Sequence, residues 1–124
     1  MNKVVHFEIP ADDLERAKKF YGSTFGWQLK DEPEMDYVIA RTVEADDKGV
    51  PKEPGAINGG MAKRDGIVKV PSFAIDVSDI DEVLETIKAA GGEVVREKTS
   101  VGEMGSIAYF KDTEGNLLSL WQNA

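Results

Sequence analysis

The sequence predicts an α+β fold in which two βαβββ modules in tandem form a curved mixed sheet around a cavity, with the helices on its outer face. A β-rich run followed by an amphipathic helical pattern occurs twice along the 124 residues. The two copies keep one offset, because Ser72 lies 66 positions after His6 (72 − 6) and Gly92 lies 66 positions after Gly26 (92 − 26). Strand-like segments follow each helix and complete the repeated module.

In the first module, residues 4–9 are rich in β-branched and aromatic side chains, and Pro10 is expected to end that strand. Asp12 or Asp13 can cap a helix that ends at Gly26. Its apolar positions recur at helical spacing: Leu14, Ala17, Phe20, Tyr21 and Phe25. An extended segment then begins at 27–29, and two more strands are expected at about 37–43 and 56–63. Between them, the charged stretch 44–55 is rich in Gly and Pro and predicts a surface loop.

The second module repeats this order. Residues 72–77 are β-rich, and Ser78 or Asp79 can cap a helix that ends at Gly91-Gly92. The apolar face of that helix consists of Ile80, Val83, Leu84 and Ile87. The remaining strands are expected to include 94–95 and to run over about 106–110 and 116–122. We therefore expect a single domain with module one at about 1–63, a linker at about 64–69 and module two at about 70–124.

Composition narrows the functional classes. With 23 acidic and 15 basic residues the net charge is −8, which disfavours nucleic acid as a partner because that backbone needs a basic surface. The same charge is compatible with a cationic ligand, although a role in solubility alone explains it more simply. Absence of cysteine excludes disulfides, zinc–thiolate sites and cysteine nucleophiles. No apolar run of about 20 residues is present to span a membrane, and the N-terminal pattern is not that of a secretory signal, so we expect a cytoplasmic protein.

Strand alternation places the candidate residues on one face of the sheet. In the first strand Val5, Phe7 and Ile9 are expected to pack on the helices, whereas His6 and Glu8 point the other way. In the second module the expected core residues are Phe73, Ile75, Val77, Leu118 and Leu120, and the opposite face includes Ser72, Ser119 and Trp121. We interpret His6, Met61 and Trp121 on this mixed polar and aromatic face as the lining of a cavity.

Three segments carry a resemblance to a known family. These are HFEIPADDLERAKKFYGSTFGWQL at the start, AINGGMAKR at the end of the first module and AYFKDTEGNLLSLWQ at the end of the chain. Over essentially its full length the sequence resembles the vicinal oxygen chelate superfamily, which includes glyoxalase I, extradiol dioxygenases and bleomycin-resistance proteins, and it resembles a subgroup labelled only as glyoxalase-related. The resemblance implies the paired-module fold, a small-molecule site and edge-to-edge association, so we expect a homodimer.

In metal-dependent members of that family, four strands each supply one ligand to a divalent ion. The resemblance maps these positions onto His6, Gly59, Ser72 and Ser119, because Gly55 and Gly115 occupy the same turn four residues before Gly59 and Ser119. Only His6 is a strong ligand, and catalytic sites normally use about three protein ligands. We therefore expect no divalent metal and no other cofactor.

The candidate ligand-binding residues share a position on the expected concave face: His6, Glu8, Tyr37, Gly59, Met61, Ser72, Ser119 and Trp121. Three roles remain open for His6, namely a hydrogen-bonded lining residue, a metal ligand assisted by a carboxylate such as Glu8, or an acid–base group paired with Glu8. Glu8 could instead form an ordinary surface salt bridge. Gly59-Gly60 could let a flat ligand approach the backbone or could relieve strain in a strand.

Two functions are compatible with these residues. The first is a small-molecule-binding protein similar to bleomycin-resistance proteins, without a catalytic metal and with a cationic or apolar organic ligand. The alternative is a lyase or isomerase of the glyoxalase type, with either an unconventional metal site or acid–base catalysis by His6 and Glu8. A regulatory or accessory domain without chemistry of its own is a third possibility.

Overall fold

The computed structural model describes all 124 residues, which form two compact units. The first unit is His6–Pro71, and the second consists of Met1–Val5 together with Ser72–Ala124. No helix is long and apolar enough to cross a membrane.

The first unit has one helix against four strands in the order β2-β3-β4-β1. Strands β1 and β4 are parallel, whereas β2–β3 and β3–β4 are antiparallel. A short 3-10 turn, Pro33–Met35, joins β2 to β3. The elements in chain order are β1 (Val4–Ala11), α1 (Leu14–Phe25), β2 (Gln28–Glu32), β3 (Tyr37–Arg41) and β4 (Gly59–Lys63).

The second unit repeats this arrangement with the strand order β5-β8-β7-β6. Strands β5 and β8 are parallel, and β8–β7 and β7–β6 are antiparallel. Its elements are β5 (Ser72–Asp76), α2 (Ile80–Ala89), β6 (Glu93–Val101), β7 (Gly105–Lys111) and β8 (Leu117–Asn123). The α+β class, the two βαβββ modules and the mixed strand directions are thereby confirmed.

Both helices begin where an aspartate caps them. The Asp13 carboxylate accepts a hydrogen bond from the Arg16 N–H, and Asp79 accepts one from Glu82 N–H. Gly26 ends α1 in the left-handed conformation with φ 73°, which a residue with a side chain adopts only at a cost. The two cap assignments left open by the sequence are thus resolved in favour of Asp13 and Asp79.

Several strand boundaries differ from the prediction, and β3, for example, ends at Arg41 rather than at residue 43. Strand β1 does not stop at Pro10 but continues to Ala11, with Pro10 opposite Ala62 of the parallel strand β4. Proline removes one N–H donor, yet the ladder continues beyond it because the Ala11 carbonyl accepts a hydrogen bond from the Arg64 N–H at 3.0 Å. Strand β4 begins at Gly59 rather than at residue 56.

The core of the second unit lies between α2 and one face of its strands. Ile80 and Leu84 of α2 are buried against Val77, Ala108 and their neighbours Phe110 and Leu120. Ile75, Val83, Ile87 and Leu118 pack around this cluster, as their spacing predicted. Phe73 was expected in the core, but 40% of its surface is exposed.

Helix α1 in the first unit packs differently, because it contains no buried residue. Tyr21 stacks on Trp27 with ring centroids 5.0 Å apart, and Trp27 contacts Phe7 of β1 at 5.5 Å. Phe20 and Phe25 share the helical apolar pattern, yet 55% and 60% of their surfaces are exposed. The helical period therefore located α1 correctly but overestimated how much of its apolar surface is covered.

Candidate functional site

Strand register in the first unit gathers most of the candidate side chains on one surface. Glu8 of β1 lies opposite Gly60 of β4, and Gly60 lies opposite Ile39 of β3. Residues opposite one another in a ladder point to the same side, and each strand alternates. We call this surface the His6 face, and its members are His6, Glu8, Tyr37, Ile39, Arg41 and Gly60.

Gly59 and Met61 do not belong to the His6 face. Gly59 lies opposite Phe7 and Met61 lies opposite Ile9, so both are on the side that packs toward α1. Met61 is fully buried there at 0% exposure and is a core residue rather than a lining residue. Counting from the turn at Gly55 was wrong by one residue, and a slip of one residue in a strand moves a side chain to the opposite face. Gly60 occupies the place that the sequence assigned to Gly59.

Tyr37 and His6 meet above Gly60. The Tyr37 hydroxyl lies 2.8 Å from His6 Nε2, which is hydrogen-bond distance, and the two rings are inclined by only 18°. A Cβ added at Gly60 would overlap the Tyr37 hydroxyl and ring carbons, so only glycine admits the tyrosine at this point. Tyr37, a candidate ligand-binding residue, is therefore a polar partner of His6 through its hydroxyl.

The neighbouring glycine serves the protein in a similar way. A Cβ at Gly59 would overlap the Phe7 ring and the Phe7 carbonyl oxygen. The spaces beside both glycines are therefore filled by aromatic rings of the chain itself. This accounts for the glycine pair without a flat ligand stacked on the backbone.

His6 is uncharged at neutral pH in this environment. Burial disfavours the imidazolium form and lowers the pKa of His6 from 6.5 to about 4. When Nδ1 carries the proton, the Tyr37 hydroxyl donates to Nε2 and His6 keeps one N–H for another partner. The pair is thus a neutral hydrogen-bonding group and not a fixed positive charge.

Glu8 was expected on the concave face or, alternatively, in an ordinary surface salt bridge, and only 8% of it is exposed. It lies two residues after His6 on the same side of β1, in register with Gly60. The alternative of a salt bridge at the protein surface is thus wrong for Glu8, because the residue is buried. The third element of the His6 face is a buried carboxyl group beside the His6–Tyr37 pair.

Arg41 is the functional candidate that the sequence did not place. From the sequence alone, the phase of β3 is uncertain by one residue, so either face of the strand is open to the Arg41 side chain. In the structure Val38 and Ala40 are buried on the α1 side, so Tyr37, Ile39 and Arg41 alternate onto the His6 face. Val38 and Ala40 are apolar and lie two positions apart in β3. Assigning this pair to the core would have placed Arg41 on the opposite side of the strand.

The remaining candidates lie in the second unit. Ser72 donates a hydrogen bond from Oγ to the Leu117 carbonyl at 2.7 Å, and the Ser119 hydroxyl lies 3.5 Å from the Phe73 carbonyl. Both hydroxyls are therefore directed to main-chain oxygens. Trp121 follows Ser119 on the same side of β8, and its indole N–H donates to Asn123 Oδ1.

A surface cleft of about 500 Å³ lies at the start of α1 and at the connection between β2 and β3. Tyr37 and Lys63 border it, but His6 does not. Six of its lining residues are acidic: Asp12, Asp13, Glu15, Asp31, Glu32 and Asp36. Part of the excess negative charge of the chain is thus concentrated beside the Tyr37 edge of the first unit.

Comparison with known proteins gives a family match over nearly the whole chain. The model of the Glyoxalase/Bleomycin resistance protein/Dioxygenase superfamily matches residues 3–120. The chain belongs to this superfamily. The resemblance seen in the sequence is thereby confirmed.

Relatives within the superfamily carry several different names. A probable lactoylglutathione lyase of Vibrio parahaemolyticus is 32% identical and aligns with 98% of this chain and 91% of its own length. A glyoxylase-like domain-containing protein of Didymella fabae is 34% identical over 88% of this chain and 84% of its own. The crystal structure of methylmalonyl-CoA epimerase from Mycobacterium tuberculosis, at 18% identity and a TM-score of 0.63, covers 98% of this chain and 87% of its own and shares the fold.

The residues of this superfamily member do not fit a divalent metal. Of the four mapped positions, Gly59 lies on the wrong side of its strand, and Gly60, which replaces it, offers no side-chain donor. The two serines are neutral hydroxyls, and no group of three or more His, Asp or Glu side chains converges anywhere in the chain. One imidazole whose Nε2 is already bonded to Tyr37 is a poor basis for a site that needs about three ligands.

Proposed function

We propose that this superfamily member binds a small organic molecule on the His6 face and does so without a resident divalent metal. The hydrogen bond between His6 Nε2 and the Tyr37 hydroxyl carries the proposal. It engages the ring nitrogen that a metal would otherwise take, and it leaves a neutral polar pair beside apolar Ile39. Such a combination of apolar surface and a few fixed polar groups is typical of sites for small organic ligands.

A metal titration tests the first half of this proposal. We expect the purified protein to contain less than about 0.1 equivalent of zinc, nickel, manganese or iron by mass spectrometry of the elements. Added zinc, nickel or manganese should leave the melting temperature unchanged. One equivalent of a metal that raises the melting temperature, and no longer does so in His6→Ala, would show that the proposal is wrong.

A ligand screen tests the second half. Compounds that raise the melting temperature should do so less in Tyr37→Phe, which removes the hydroxyl that holds His6. Tyr21→Phe is the matched control, because Tyr21 stacks on Trp27 on the α1 side of the first unit. If a compound raises the melting temperature of both variants equally, its binding surface lies away from the His6 face.

A lyase or isomerase reaction is the second candidate, and buried Glu8 favours it. A carboxylate held beside a neutral imidazole could take a proton from a carbon next to a carbonyl group, and the His6–Tyr37 pair could donate a hydrogen bond to the resulting oxyanion. The names lactoylglutathione lyase and methylmalonyl-CoA epimerase among the similar proteins direct the choice of substrates.

Proton exchange separates the two candidates. If the protein is an enzyme, methylmalonyl-CoA or a lactoylglutathione-type thioester should gain solvent deuterium at the carbon next to the carbonyl group, as measured by NMR. Glu8→Gln should abolish the exchange, whereas Glu93→Gln, an exposed residue at the start of β6, should not. Binding of these compounds without deuterium exchange would instead support a protein that binds a ligand and does not catalyse a reaction.

A further inference from the structure

Arg41 differs from the other three arginines of the chain in its surroundings. Arg64 is paired, because its Nε donates to Asp12 at 2.9 Å and its Nη1 donates to the Lys69 carbonyl. Arg16 and Arg96 are exposed to solvent. Arg41 is half-buried and yet makes neither an ion pair nor a side-chain hydrogen bond within the chain.

An unpartnered guanidinium is unusual in a chain of this composition. With 23 acidic and 15 basic residues, carboxylates outnumber cations and a pairing partner is easily supplied. Partial burial removes part of the hydration of a charge, and this cost is offset only when another group binds it. A guanidinium left without such a group keeps N–H donors that a ligand can bind.

The backbone around Arg41 is held in place. Asn58 accepts hydrogen bonds through Oδ1 from the N–H groups of Thr42 and Val43, at 2.8 and 3.1 Å. The Thr42 hydroxyl donates to the Ile57 carbonyl at 2.8 Å. The chain immediately after Arg41 is thereby clamped, so that the guanidinium extends from a fixed base rather than from a free loop.

Register brings Arg41 into the same row as His6. Phe7, Gly59 and Ala40 form one row across β1, β4 and β3. His6 precedes Phe7 in β1 and Arg41 follows Ala40 in β3, so both lie one residue beyond this row on the His6 face. Two strand spacings separate His6 from Arg41, which corresponds to about 10 Å between their Cα atoms. Both side chains are long enough to contact opposite ends of one small molecule.

We propose that Arg41 is the anion-binding group of the His6 face and that the ligand of this protein carries a carboxylate or a phosphate. The inference rests on the proposed function, since it needs a ligand on that face. A guanidinium presents paired N–H donors that match two oxygens of either group. The His6–Tyr37 pair then contacts the uncharged end of the same molecule.

Four probes built on one phenyl ring test this inference: benzoate, phenyl phosphate, neutral benzamide and cationic benzamidinium. Dissociation constants are measured at constant ionic strength by NMR, following the His6 ring and the Arg41 Nε–H signals. Benzoate or phenyl phosphate should bind the wild-type protein about tenfold more tightly than benzamide. The tighter of these two anions identifies the group that the ligand carries.

Arg41→Gln should reduce the affinity for both anions to that for benzamide. Arg96→Gln removes the same charge from an exposed site on β6 and should keep the preference. The inference is overturned if Arg41→Gln retains the preference, if the wild-type protein does not discriminate, or if benzamidinium binds most tightly, as the acidic cleft beside Tyr37 would favour. In these cases, benzamide shifts of the His6 signals would still support the proposed function, whereas no shift with any probe would overturn both.

Discussion

The two units contain the same elements in the same order but use them differently. Helix α2 buries Ile80 and Leu84 in a continuous core with Val77 and the neighbouring strands. Helix α1 buries no residue, and its aromatic side chains stack with one another and with Trp27 while Phe20 and Phe25 remain exposed. Apolar burial by the helix is therefore much larger in the second unit.

The strand faces that point away from the helices also differ, because the first unit carries several titratable groups there, whereas the second carries hydroxyls directed to the main chain. In the second unit the hydroxyls of Ser72 and Ser119 are directed to main-chain carbonyls. In the first unit the His6 face carries a neutral histidine, a tyrosine hydroxyl, a buried carboxyl group and an unpaired guanidinium. The duplicated architecture thus carries different polar groups on equivalent strands, and of those named here only Arg41 makes no ion pair or hydrogen bond through its side chain.

Truncation of the first residue of each helix should show the difference in packing between the two units most clearly. Ile80 and Leu14 are equivalent positions, but Ile80 is 0% exposed whereas Leu14 is only half-buried. Ile80→Ala should lower the free energy of unfolding by about 3 kcal/mol, and Leu14→Ala by about 1 kcal/mol. Urea unfolding followed by circular dichroism measures both. Equal losses would contradict the difference in packing between the units.

The next largest effect is expected at Gly60. Alanine there would force Tyr37 away from its position, because the added Cβ would overlap the tyrosine hydroxyl. Gly60→Ala should cost about 2 kcal/mol of stability and should abolish the His6–Tyr37 hydrogen bond. Gly22→Ala is the control, since a Cβ there meets only ordinary contacts at 3.6 Å or more, and alanine favours the helix. A Gly60→Ala protein as stable as the wild type would show that Tyr37 does not need this gap.

Stability should depend on pH through His6. Its pKa is 6.5 when unfolded and about 4 when folded, so between these values the unfolded chain binds more protons. The free energy of unfolding should therefore fall as the pH falls from 6.5 to 4. At pH 5 this amounts to about 2 kcal/mol, because one pKa unit corresponds to about 1.4 kcal/mol. Comparison with His6→Gln isolates this contribution, and identical pH profiles for the two proteins would refute it.

The smallest effect is expected for loss of a single hydroxyl. Tyr37→Phe leaves His6 Nε2 without its partner and should destabilise the protein by about 1 kcal/mol. Tyr21→Phe on the α1 side should change stability by less than about 0.5 kcal/mol, because Tyr21 contributes through ring stacking. The histidine ring signals in NMR should shift in the first variant and not in the second.

Much of the local structure was predictable, because local signals decide it. The caps at Asp13 and Asp79, the stop at Gly26 and the repeated order of elements depend on residues close in sequence. The side of the sheet on which a residue lies was predicted less accurately where the strand pairs with a segment distant in sequence. Gly59 and Met61 were placed on the wrong side, since their register depends on pairing with β1, which lies about 50 residues earlier in the chain.

By itself, the sequence determined the βαβββ repeat, the superfamily and the poor chemistry of the four mapped metal positions, because these depend on residue type and spacing. Only the tertiary structure decided that Tyr37 crosses Gly60 to reach His6, that Glu8 is buried and that Arg41 has no partner. These properties depend on which residues of separate strands become neighbours. Burial and hydrogen bonding across a ladder are set by register, which residue spacing along a single strand does not specify.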